Sequence, residues 1–113
     1  MLELPAIEQT ALNYLLSTLE IHTEHRHLFE VVGATYFDNN ECMINVGIVG
    51  LIGKYWNIFV DRETGNILTG CEFNTNHKDL HKLHRYSHLP DYLNQLLDRL
   101  TAEFLSKLNA PAD

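Results

Sequence analysis

Hydrophobic positions recur with two different periods along the chain. Ile7, Ala11, Leu12, Leu15 and Leu19 follow one another every three or four residues, the spacing of one helical face. They predict a helix over residues 5–19, with Pro5 in the first turn, where its missing N–H is no loss. Residues 20–27 are polar and read as a loop. From residue 28 the period shortens to two. Residues 28–37 are rich in β-branched and aromatic side chains, which predicts a strand. Asp38-Asn39-Asn40 is a turn, and both asparagines tolerate positive φ. Cys42, Ile44, Val46 and Ile48 then alternate with Met43, Asn45, Gly47 and Val49, a second strand antiparallel to the first.

Trp56, Ile58 and Val60 mark a third strand over 55–60, and residues 67–73 a fourth. The loop Asp61-Arg62-Glu63-Thr64-Gly65-Asn66 joins them, with Gly65 as the left-handed residue. A short helix is expected over 76–88, capped by Asn76 with Asp79 completing a box-like pair. Pro90 opens a final helix, whose stripe is Leu93, Leu96, Leu97, Leu100, Phe104 and Leu108. The expected architecture is α+β in a single domain spanning 1–113. An N-terminal helix packs on a four-stranded antiparallel meander, followed by one short and one long C-terminal helix.

Composition agrees with a self-sufficient domain. The chain has 113 residues, 45% of them hydrophobic, enough for a core without disulfides or metal. No apolar run approaches the roughly 18 residues of a membrane span; the longest, 44–52, is broken by Asn45, Gly47 and Gly50. The start Met-Leu-Glu-Leu-Pro lacks the basic and apolar regions of a signal peptide, so a cytoplasmic location is expected. Cys42 and Cys71 read as reduced, small hydrophobes.

Charge adds a direction. The net charge is −7, and residues 1–61 hold eight acidic side chains against Arg26 and Lys54 alone. Such a surface repels nucleic acid and anionic membrane and attracts basic proteins. The plainer alternative is that the charge serves solubility. Asp38, Glu41, Asp61 and Glu63 stand on the two predicted hairpin turns and are the candidate partner contacts, although solvated turn carboxylates are the commoner case.

Candidate chemistry centres on His77, His81, His84 and His88. At about 100° per residue they fall within about 60° of one another on a helix, and imidazoles one turn apart can share zinc, nickel or copper. His22, His25 and His27 add ligands if the fold brings their loop near. Against this, Lys78, Lys82 and Arg85 flank the stripe, no CxxC is present, and histidines on a solvated face need no metal. The segment gains positive charge below about pH 6.5, which would suit self-association, a homo-oligomer, or an acidic partner. The series Gly47, Gly50 and Gly53 precedes a strand, not a helix, and reads as turn or bulge glycines instead of a phosphate loop. Neither cysteine has a nucleophile context, and there is no GxSxG elbow. Tyr36, Phe37, Tyr55, Trp56 and Phe59 would line a ligand pocket or, by default, pack a core.

Residues 55–68, Tyr-Trp-Asn-Ile-Phe-Val-Asp-Arg-Glu-Thr-Gly-Asn-Ile-Leu, resemble the hairpin of PepSY-like and related cystatin-like domains. A similar hairpin occurs in small bacterial immunity proteins of the nuclear-transport-factor fold, which neutralise a toxin by binding it. PepSY-like modules are usually extracytoplasmic and lack the helical C-terminus seen here. The resemblance implies the helix-then-meander order. It also favours a non-catalytic protein-binding role, such as an immunity-type inhibitor of a basic toxin, for example a nuclease. Two alternatives stand beside it: a transition-metal-binding or metal-responsive protein using the histidine stripe, and a small-ligand enzyme of cystatin-like fold.

Overall fold

Pro5 lies in the first turn of helix α1 (Leu4–Thr18), where its fixed φ is already helical. Ile7, Ala11, Leu15 and Leu16 form the buried face, and Leu12 and Leu19 are partly covered beside it. Just past the Leu19 cap, Glu20 takes a φ of 57°. The Ile21 N–H then donates to the Leu16 carbonyl at 2.9 Å, a closing wrap usually given to glycine. The computed structural model describes residues 2–75 and 86–108. Where a loop was expected over 20–27, Thr23–Leu28 winds into a 3₁₀ helix that also takes Leu28 from the expected strand.

Four strands follow: β1 (Phe29–Tyr36), β2 (Glu41–Ile48), β3 (Lys54–Asp61) and β4 (Ile67–Thr75). They lie side by side in chain order, each antiparallel to the next. α1 crosses all four strands, and helix α2 (Asp91–Leu108) packs beside β4. The expected α+β architecture is therefore present. The principal dimensions, 43 × 42 × 20 Å, are those of one helical layer on one sheet. The short helix expected over 76–88 lies mostly outside the described residues, and its last three, Tyr86, Ser87 and His88, lead through a turn into α2.

Alternation in β2 and β3 divides the sheet into two unlike faces. Cys42, Ile44, Val46, Ile48, Trp56, Ile58 and Val60 all point into the helices and are buried. Phe29, Phe73, Leu93, Leu96 and Leu97 complete this core. Trp56 sits at its middle, 5.8 Å from the ring of Phe29 and 5.2 Å from that of Phe73.

The edges are less regular. In β1, Val31 pairs with Val46 and Gly33 with Asn45, so Val32 is an extra residue, a bulge. Its side chain swings to the outer face over Gly47. β4 shifts register twice, and there Cys71 adopts a φ of 61°. The β2–β3 connection turns on Gly50 and Gly53, both at φ 84°, a conformation that side chains with a Cβ resist. This bears out the turn reading for Gly50 and Gly53, whereas Gly47 lies within β2 and pairs with Tyr55.

Candidate functional site

The second face of the sheet carries no described element. Its centre is four cross-strand pairs between β2 and β3: Glu41 with Asp61, Met43 with Phe59, Asn45 with Asn57, and Gly47 with Tyr55. Val32 and Glu30 extend it across β1, and Glu72 and Asn74 across β4. Asn45 Nδ2 donates to Asn57 Oδ1, forming an amide bridge between the two central strands. The bridge leaves Asn45 Oδ1, beside Gly33 of β1, and Asn57 Nδ2 for other partners. Phe37 stacks on Phe59 with ring centroids 6.3 Å apart. Beyond the other end of the face, the β2–β3 loop projects Ile52, which is 93% exposed.

Two antiparallel hairpins open at the same end of the sheet, and they gather the four carboxylates singled out from sequence. Asp38 lies in the β1–β2 turn, where Asn40 alone takes positive φ, at 64°. Glu41 and Asp61 face each other across β2 and β3. Glu63, on the β3–β4 loop, accepts from Asn40 Nδ2 at 3.5 Å. Their situations differ. Asp61 Oδ1 accepts the N–H groups of Glu63 at 2.8 Å and Thr64 at 3.2 Å, so this carboxylate shapes its own hairpin. Asp38 and Glu63 are exposed, and Glu41 is half-buried.

Charge on this face has one sign. Glu30, Glu41, Asp61 and Glu72 stand on outward positions, and no described lysine or arginine does. Lys54 points the other way, into the core, and donates to Thr75 Oγ1 at 2.8 Å. Arg62 lies over the ring of Tyr36 at 4.1 Å, on the helix side of the hairpin.

Comparison with family models, curated proteins and solved structures finds no match.

Function must therefore be argued from geometry. Of the histidine stripe, His77, His81 and His84 lie outside the described residues. His88 is placed: its Nε2 donates to the Val49 carbonyl at 2.8 Å, against Gly50. This ring ties the entry of α2 to the β2–β3 loop, leaving Nδ1 as its only lone pair for any ligand.

Both cysteines are free thiols. Burial pushes the Cys42 thiol up, partly offset by Arg62 and reinforced by Glu8. Burial also raises Cys71, with a hydrogen bond from the Thr18 side chain opposing it. Raised thiols hold little thiolate at neutral pH. Native protein is expected to leave Cys42 unmodified by a disulfide reagent and to modify Cys71 slowly, with both reacting at once in denaturant. As pH rises past the ordinary thiol range, the unfolded chain ionises first, so thermal stability falls there. Fast labelling of Cys42 in the folded protein would contradict this.

Sequence reasoning missed the outward amide pair, the exposed Ile52 and the bulged Val32. Alternation does mark Asn45 and Asn57 as outward positions; nothing in the local pattern marks the other two.

Proposed function

We propose that the protein is a non-catalytic protein-binding module, an immunity-type inhibitor that docks a basic toxin, such as a nuclease, on its open sheet face. The observation that carries this reading is the uncovered face itself: apolar and amide side chains at the centre, carboxylates around them, and no described basic residue among them. A solvated face that needed only solubility would mix both signs and few large apolar groups. Here Val32 is 56% exposed, Ile52 93% and Phe37 40%. Glu41 and Asp61 are placed directly opposite each other, an arrangement unfavourable for like charges. A local cost of that kind is characteristic of positions kept for binding.

Size and charge both fit a protein partner. Four strands spaced about 4.8 Å apart and eight residues long at about 3.3 Å present about 500 Å². The turns and the Ile52 loop bring this toward the roughly 800 Å² per partner of a standard interface. A second copy is a poor occupant, because a symmetric pairing would set these carboxylates against their own equivalents. A basic partner gains steering from them, and Tyr55, Phe59 and Ile52 supply the apolar anchors. The hairpin at 55–68, whose sequence resembles those of PepSY-like and immunity-like domains, supplies most of β3 and the first two residues of β4.

The test uses the product of the adjacent gene. A tight complex is expected, with an association rate that falls as salt rises. Glu30→Lys, Glu41→Lys and Glu72→Lys together are expected to slow association about tenfold or more, and Ile52→Ser to speed dissociation. Asp61 is left intact because it builds the hairpin. Absence of a complex overturns the reading. So does a complex indifferent to these changes, or a homodimer that Ile52→Ser abolishes.

A further inference from the structure

We propose that His22, Glu24 and His25 form a binding site for a divalent transition ion of the zinc, nickel or copper class, held in shape by Tyr92 of α2. One ligand atom from each of the three lies within 4.8 Å of the others. His22 Nδ1 and Glu24 Oε1 are 3.8 Å apart. Ligands at about 2.0–2.2 Å from a common ion stand about 3–3.5 Å from one another in tetrahedral geometry. The widest pair must therefore close by up to about 1.5 Å, and the Glu24 side chain, 73% exposed, is free to do so.

Tyr92 is the independent observation. Its ring stacks on His22 with centroids 4.3 Å apart and planes 22° from parallel. Its Oη lies 2.6 Å from His25 Nδ1 and also accepts the His22 backbone N–H at 3.2 Å. One side chain, 67 residues along from His25, thus orients both imidazoles and the His22 main chain. Holding one ring nitrogen of a histidine so that the other is presented is the arrangement that metal sites use. With Nδ1–H donating to Tyr92 Oη, Nε2 of His25 keeps its lone pair for the ion.

Two imidazoles and one carboxylate select a borderline transition ion over calcium or magnesium, which prefer all-oxygen shells. Three protein ligands leave at least one coordination position to water. Glu20 and Arg99 line the cleft between Leu19 and α2 beside His22. Their charges offset, so the field there does not exclude a cation. His27 is outside the cluster. The site is independent of the docking face and does not rest on the function proposed above.

The test is zinc and nickel titration of the tag-free chain by calorimetry. One ion per chain is expected, with micromolar affinity. His22→Ala and His25→Ala should each weaken it about tenfold or more, and Tyr92→Phe, which keeps the stack and loses the hydroxyl, about tenfold. Triple replacement of His77, His81 and His84 by Ala should leave binding intact. Should a variant fail to fold, copper(II) added to the wild-type chain gives a second reading. Its paramagnetism should broaden the amide signals of residues 21–27 and 92 first. Binding weaker than millimolar overturns the proposal. So does broadening centred elsewhere, or loss of binding in the triple variant with His22→Ala and His25→Ala unchanged.

Discussion

Trp56→Ala is expected to lower the stability of the fold by about 3–5 kcal/mol, the range for removing a buried aromatic ring from a packed core. The residue is 1% exposed and lies between Phe29 and Phe73, on a strand whose inward positions are otherwise Ile58, Val60 and Lys54. Its ring touches aromatic partners toward both edges of the sheet. Truncation therefore leaves a void that aliphatic neighbours on fixed strands cannot close. Since domains of this kind are stable by about 5–15 kcal/mol in all, the variant should melt roughly 10–20 °C lower. Circular dichroism is the appropriate measurement, because the chain has only one tryptophan. The denaturant midpoint should fall while the slope stays the same. Trp56→Phe keeps part of the ring contacts and should cost less. A loss below about 1 kcal/mol for Trp56→Ala would show that the core is not centred on this ring.

That core was largely legible in the residue pattern. Alternation through Cys42, Ile44, Val46 and Ile48, and through Trp56, Ile58 and Val60, assigns the inward face correctly because a strand's side-chain period allows no other choice. The α2 stripe is equally direct, with Leu93, Leu96 and Leu97 buried and Leu100 and Phe104 partly so, while Leu108 at its end is exposed at 48%. The bulges were not legible. Val32 belongs to a run of β-branched and small residues that pairs equally well with or without one residue of slip, and only the partner strand decides. In β4, Cys71 takes a positive φ that its own residue type does not suggest. The tight approach of Tyr14 to Gly70, where an added Cβ would lie 2.5 Å from the ring, is likewise a tertiary fact.

The candidate site divides in the same way. Meander topology alone brings Asp38, Glu41, Asp61 and Glu63 to one end, because successive hairpins of an antiparallel sheet open alternately. Their division of labour was not legible: nothing in the sequence says that the Asp61 carboxylate holds two backbone N–H groups. The histidines show the limit most clearly. Helical spacing drew attention to four residues in a row, of which His88 proves to bond a main-chain carbonyl. His22 and His25 gain their significance from Tyr92, a residue on another helix, and no local pattern predicts that meeting.

Asn94 was also hidden, as a polar residue set within the apolar stripe of α2, and Asn94→Leu is the second substitution expected to be severe. The side chain is 3% exposed. Its Oδ1 accepts the Tyr86 N–H at 2.9 Å, and its Nδ2 donates to the carbonyls of Tyr86 at 3.2 Å, Leu89 at 3.3 Å and Pro90 at 3.5 Å. A single amide thus closes the turn through which the chain enters α2. Leucine matches its size but leaves these backbone groups without their partner, at about 1–3 kcal/mol for each one kept from water. The loss should be local before it is global. Amide exchange should rise first at Tyr86 and Leu89, and then at Val49 and Leu51, because His88 bonds the Val49 carbonyl and so couples the turn to the loop that carries Ile52. Asn94→Asp distinguishes the hydrogen-bond account from simple packing. A carboxylate keeps the acceptor for Tyr86 but sets negative charge against three carbonyls, so its folded pKa is raised. A raised folded value contributes stability below the unfolded pKa of about 3.9 and loses it as pH rises. Asn94→Asp should therefore approach wild-type stability in acid and fall progressively behind it toward neutrality, whereas Asn94→Leu should show no such dependence. Equal, pH-independent losses in both variants would mean that the amide fills space and does not order the turn.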